Sequence, residues 1–249
     1  GISHGALDNI KGKKLFKLLG FNSNFLFYLS YIFFSLIIIV AWFIFPNMVL
    51  LFFLIVASFH FGKEDTVFKV KKSFFFNEVL FFFKGSSVII SPLLFHRDST
   101  NEIFATLNFY VFESSFFNDY LLVIFLLLSF LSNIYLSIGK SSELKNIMIL
   151  DYFSVIILNL FLTPILAFTL YFCFLHSVRH SISLIYEMDR SFKKGLKKFI
   201  IRALPLTLIT GLIFLISIYF LNNLYKIDEA IYKVIFIGLA SLTFPHILL

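Results

Sequence analysis

Six histidines are the side chains of this 249-residue sequence best suited to chemistry: His4, His60, His96, His176, His180 and His246. His176 and His180 stand four apart in H-S-V-R-H, so on a helix they share one face. That spacing suits two ligands of one metal ion. His4 opens the box H-G-A-L-D and His60 opens H-F-G-K-E-D. Each box joins a histidine to a nearby glycine and a carboxylate, Asp8 or Asp65. The glycine permits close backbone approach or a helix end. The carboxylate can accept the proton on a ligating ring's other nitrogen and fix its tautomer. The plainer reading makes both acids helix-end caps. Four neutral imidazoles without cysteine suit a borderline ion such as Fe(II), Zn or Cu. The single cysteine, Cys173, excludes a disulfide framework and a multi-cysteine metal site. It lies three residues before His176 and reads as a small buried apolar residue.

The elements that must position these residues are membrane helices. Apolar residues make up 59% of the chain and charged residues 14%, against about 25% charged in soluble domains. With a mean hydropathy of +0.94, too little polar surface is left to coat a soluble globule. This excludes a soluble enzyme, a nucleic-acid binder and a disordered tail. Apolar runs fall at 24–45, 48–61, 74–95, 117–138, 147–162, 165–186, 199–221 and 231–249. They are continuous, whereas barrel strands would alternate. The expectation is an all-α, polytopic membrane helix bundle of seven to eight spans, a single membrane-embedded domain over residues 1–249. The second and fifth runs are short for a span of about 20 residues. Pro46, Pro92, Pro164 and Pro205 mark breaks or kinks. The chain opens inside its first box, so an upstream segment is expected to be missing.

Basic residues set the orientation. If the eight runs alternate in direction, sixteen Lys and Arg fall on one face and three on the other. The rich face is cytoplasmic by the positive-inside rule. His4, His60, His176, His180 and His246 then collect at the depth of that face, and His96 falls on the outer one. Polar groups at membrane depth are costly and usually face a bundle interior, so a shared site is the economical explanation. His96 reads as structural or solvent-facing. Arg179 points away from its flanking histidines by helical geometry and should pair with a carboxylate or snorkel to head groups. Lys84, inside the third run, is either functional or marks a break in the helix at K-G-S-S.

The sequence resembles the Brp/Blh-type β-carotene 15,15′-dioxygenases. The resemblance is carried by G-I-S-H-G-A-L-D (1–8), S-F-H-F-G-K-E-D (58–65), S-P-L-L-F-H (91–96), H-S-V-R-H (176–180) and P-H (245–246), in family order across the chain. It implies oxidative cleavage of the central double bond of β-carotene by O2, giving two retinals, at a non-haem Fe(II). It further implies that His4, His60, His176 and His180 are the iron ligands, with Asp8, Asp65 and His246 around them or as an extra ligand. The substrates implied are β-carotene and O2, met within the lipid bilayer of the inner membrane, with the metal site toward the cytoplasm. A functional link to a retinal-binding rhodopsin is implied as well, and no nucleic acid. A non-enzymatic transporter or accessory protein binding a carotenoid or metal ion is the alternative. Another membrane iron oxygenase fits less well, because di-iron desaturases need about twice these histidines and an adjacent His pair.

Overall fold

The computed structural model describes residues 8–18, 20, 24–68 and 75–247. Among these residues every regular element is helical, as the unbroken apolar runs predict. The α-helices are α1 (Asp8–Leu18), α2 (Asn24–Ile44), α3 (Pro46–Glu64), α4 (Phe75–Phe95), α5 (Arg97–Thr106), α6 (Asp119–Ser137), α7 (Ser142–Phe161), α8 (Pro164–Leu170), α9 (Ser177–Met188), α10 (Phe192–Leu221) and α11 (Ile227–Ile247). A π-helical turn, Tyr171–His176, joins α8 to α9.

Among the described residues, eight segments are long and apolar enough to cross a membrane: α2, α3, α4, α6, α7, the run from α8 to α9, α10 and α11. The two runs that look short in sequence are helices of 19 and 20 residues. Their polar ends, His60–Glu64 in α3 and Ser142–Lys145 in α7, remain helical. α2 leaves Ile32, Phe33, Leu36, Val40 and Phe43 exposed, and α10 leaves Leu208, Leu212 and Leu215 exposed. Apolar surface on that scale is rare on soluble monomers and suits acyl chains. Pro46 and Pro164 each begin a helix, where the missing N–H costs nothing. Pro92 and Pro205 lie inside α4 and α10, which run on through them, so the breaks expected there are not found.

The described chain divides into two compact units: the residues up to Leu50 together with those from His180 onward, and Leu51–Arg179. In the first, α2 and α10 both pack on α11, and α1 packs on α2. Leu184 and Ile185 of α9 meet Phe199 and Ala203 of α10 in a small buried cluster. In the second, α4 packs on α6 and α7. Without a hydrophobic drive between helices in lipid, small residues and polar contacts hold such interfaces. Accordingly, Lys84 through Val88 of α4 are buried. The Ser129 hydroxyl of α6 donates to the Lys84 carbonyl at 2.9 Å, and the Tyr152 hydroxyl of α7 donates to the Leu126 carbonyl at 3.0 Å. α4 is continuous through Lys84 and Gly85, so K-G-S-S is no helix break.

Gly62, in the box that follows His60, meets Gly85 of α4. A Cβ at Gly62 would lie 1.8 Å from the Phe81 carbonyl oxygen, and one at Gly85 would lie 1.9 Å from the Ser58 carbonyl oxygen. The two helices touch backbone to backbone, a contact that only glycine allows.

Candidate functional site

In the Leu51–Arg179 unit, this glycine contact fixes the end of α3 that carries His60. The ring of His60 lies 5.4 Å, centre to centre, from that of His176. His176 is 1% exposed and closes the π turn, in which the Ser177 N–H reaches back five residues to the Phe172 carbonyl. Phe172 stacks on the His176 ring and Phe61 meets it edge-on. Nδ1 of His176 donates to Asp65 Oδ1 at 2.9 Å, and the Tyr171 hydroxyl donates to Asp65 Oδ2 at 2.5 Å. A proton held on Nδ1 by a carboxylate leaves the coordinating lone pair on Nε2. Asp65 lies one residue past α3. Burial would raise its pKa, but the hydrogen bond from His176, the charge of Lys84 and the hydrogen bond from Tyr171 hold it well below the usual carboxylate range.

The same unit contains a charge network. Arg179 pairs with Asp151 at 2.8 Å and lies 4.0 Å from Asp65, so it meets the carboxylate its position predicts. Buried Lys84 donates to Thr66 Oγ1 at 2.9 Å and approaches Met148 Sδ at 3.5 Å. The two cations balance the two aspartates. Asp65 therefore acts on His176 more through tautomer and aim than through net charge. His96 shares a hydrogen bond of 2.8 Å with the Asn159 carbonyl and takes part in neither histidine pair, in keeping with a structural role. Cys173 is half-buried, more open than its sequence position suggests.

In the other unit, His180 and His246 lie 6.0 Å apart, centre to centre. Nδ1 of His246 donates to Asp8 Oδ1 at 2.7 Å. The Tyr31 hydroxyl of α2 donates to Asp8 Oδ2 at 2.9 Å and lies 3.2 Å from the Leu242 carbonyl. His4 lies outside the described residues.

Both box aspartates thus hold an imidazole, but a distant one. Sequence reasoning pairs Asp65 with His60 and Asp8 with His4 by proximity, whereas the fold pairs Asp65 with His176 and Asp8 with His246. Tyr31 and Tyr171 are the functional candidates that sequence reasoning misses. Tyr171 stands five before His176, a spacing that points away from it on an α-helix, and nothing marks Tyr31 among eleven tyrosines.

Among the described residues no group of three or more His, Cys, Asp or Glu side chains is placed to hold a metal ion; the imidazoles come in twos. Two rings bound to one ion at metal–nitrogen distances of about 2.0–2.1 Å have centres about 4.5–5.5 Å apart. The His60–His176 pair is within that range and the His180–His246 pair is just outside it. Imidazole donors whose second nitrogen donates to a carboxylate are the usual chemistry of metal-binding histidine. The residues present therefore fit a borderline divalent ion.

Comparison with known proteins gives this geometry a context. A curated relative from Uncultured marine bacterium 66A03, "Beta-carotene 15,15'-dioxygenase", is 28% identical over 256 residues, covering all of this chain and 88% of the relative. No solved structure matches the chain. The sequence model of the family described as "Beta-carotene 15,15'-dioxygenase" matches residues 1–249. With its whole length matched, the chain belongs to the β-carotene 15,15′-dioxygenase family.

Proposed function

We propose that this chain cleaves the central 15,15′ double bond of β-carotene with O2, each carbon of that bond becoming the aldehyde of one retinal. Both oxygen atoms of O2 end in the two products, so no further reductant is required. The full-length family match carries this reading, and the buried His176–Asp65 pair beside His60 supports it. His4, His60, His176 and His180 would hold a non-haem Fe(II), with His246 beside them. Bound iron would supply the O2 chemistry that no protein side chain offers.

The residues of the chain have the remaining tasks. Asp65 holds the proton of His176 on Nδ1 and so keeps Nε2 as the donor. Phe61 and Phe172 pack the ring and exclude water from it. An apolar polyene reaches such a site from the bilayer without crossing water. The distribution of basic residues supports an orientation with the histidine-bearing ends toward the cytoplasmic side of the cell membrane, from which the retinal product would pass to a retinal-binding rhodopsin.

The test is direct. Purified protein is assayed for iron, loaded anaerobically with Fe(II), supplied with β-carotene, and exposed to O2. Two retinals per β-carotene are expected. Unequal apocarotenal fragments would refute central cleavage, and carotene binding without any product would favour a carrier.

A further inference from the structure

The same hydrogen-bond arrangement occurs twice, once in each unit. Tyr171 donates to one oxygen of Asp65 and His176 donates to the other. Tyr31 donates to one oxygen of Asp8 and His246 donates to the other. A second imidazole lies beside the histidine in each case, His60 or His180. All six members of the two triads are buried or half-buried. The local structures that supply them are unrelated. Tyr31 lies in the middle of α2 and reaches residues at the two ends of the chain, whereas Tyr171 and His176 bracket a π turn. Five steps along an α-helix separate two side chains by about 140°. A π turn closes with i→i+5 hydrogen bonds, and its wider turn brings residues five apart much closer to one face. That turn is what lets Tyr171 and His176 grip one carboxylate. One chemical arrangement reached by two structural routes is not explained by packing alone.

We propose that Tyr31 and Tyr171 are positioning residues for the metal-binding histidines, and that His246 is the counterpart of His176. Each tyrosine pins one carboxylate oxygen, so that the other oxygen is a fixed acceptor for the imidazole Nδ1–H. A carboxylate's last torsion is otherwise soft and roughly two-fold. The Tyr171 proton goes to Asp65, whereas the single Tyr31 proton has the Leu242 carbonyl within reach as well as Asp8. Tyr171 is therefore the stronger clamp. This inference rests on the iron-binding reading above, and its test separates the two.

Full-length apo-protein in lipid nanodiscs is titrated with Co(II), whose visible bands report ligand number and geometry, and with Fe(II). Wild type should bind both. Tyr171→Phe should bind about tenfold more weakly, the lower end of the range for groups one contact removed from a metal. Its Co(II) bands should shift while the melting temperature of the apo-protein holds. The double variant Tyr171→Phe/Asp65→Asn should bind no more weakly than Asp65→Asn alone, because the tyrosine acts through the aspartate. Tyr152→Phe, whose hydroxyl bonds the Leu126 carbonyl, should match wild type. Tyr31→Phe should show a smaller loss of the same kind, and it carries the test if Tyr171→Phe does not fold. Wild-type affinity and bands in both tyrosine variants would overturn the proposal, as would additive losses in the double variant. A wild type that takes up neither ion would instead overturn the iron reading, and the proposal with it.

Discussion

Replacing Gly62 by alanine tests the contact that sets His60. The new Cβ would lie 1.8 Å from the Phe81 carbonyl oxygen, 2.7 Å from its carbon and 3.0 Å from the Gly85 nitrogen. Carbon and oxygen in non-bonded contact rest about 3.3 Å apart, so α3 and α4 must separate by about 1.5 Å. All three neighbours are backbone atoms of a helix, and no side-chain rotation relieves the clash. Overpacking typically costs about 1–3 kcal/mol, and this geometry belongs at the upper end. His60 is two residues away on the same helix. A misplacement of about 1 Å in a catalytic group can cost about 100-fold in rate, so turnover should fall further than stability. The assay is thermal unfolding in detergent beside retinal yield at matched expression, for Gly62→Ala, Gly85→Ala and Gly12→Ala. The nearest neighbours of a Cβ at Gly12 are atoms of the Phe27 ring, a side chain and not backbone, so this variant should be the mildest. Wild-type melting and turnover in Gly62→Ala would refute the backbone contact and the argument built on it.

Three further outcomes are expected. His60→Ala, His176→Ala and His180→Ala should each abolish retinal formation and lower bound iron, whereas His96→Ala should do neither; near-normal activity in any of the first three removes that residue from the ligand set. Asp65→Asn should lower iron affinity or activity by about 10–100-fold while the protein still folds, since asparagine has nearly the shape of aspartate and keeps one acceptor oxygen for its two donors; iron content and turnover equal to wild type would return Asp65 to a structural role. A chelator should stop retinal formation and Fe(II) should restore it, while activity that survives complete removal of iron would contradict an iron mechanism.

The all-helical fold and its eight spans are legible because an unbroken apolar run of about 20 residues has few other solutions. Helix ends are less legible. Gly62–Glu64 reads as a loop by polarity, yet it continues α3, with Gly62 seated against the backbone of α4 and Lys63 and Glu64 turned to the exposed side. Lys84 reads as either functional or a break, and it is a buried helical residue with Thr66 as its acceptor. The histidines are legible as chemistry, since imidazole is costly at membrane depth. Their aspartate partners are not, because separations of 111 and 238 residues are settled by tertiary packing. Tyr171 is hidden by helical periodicity itself: a 3.6-residue repeat aims it away from His176, and the π turn that corrects the aim has no sequence signature.

Lys84 also bears on how the chain enters its membrane. It stands near the midpoint of α4, and a lysine at the centre of an inserting helix costs about 2.5–3.5 kcal/mol on insertion scales. Its ammonium is satisfied by Thr66, just beyond α3, and its carbonyl takes the Ser129 hydroxyl of α6. The first partner is already synthesised when α4 leaves the ribosome, so α3 and α4 suit entry as a hairpin. α6 follows roughly 40 residues later, about 2–8 s at ordinary elongation rates. Apart from Asp119 in its first turn, α6 carries no charge and needs no partner to enter lipid. α4 therefore enters with one neighbour and completes its burial only after α6 and then α7, whose Met148 lies 3.5 Å from the Lys84 ammonium, have followed it.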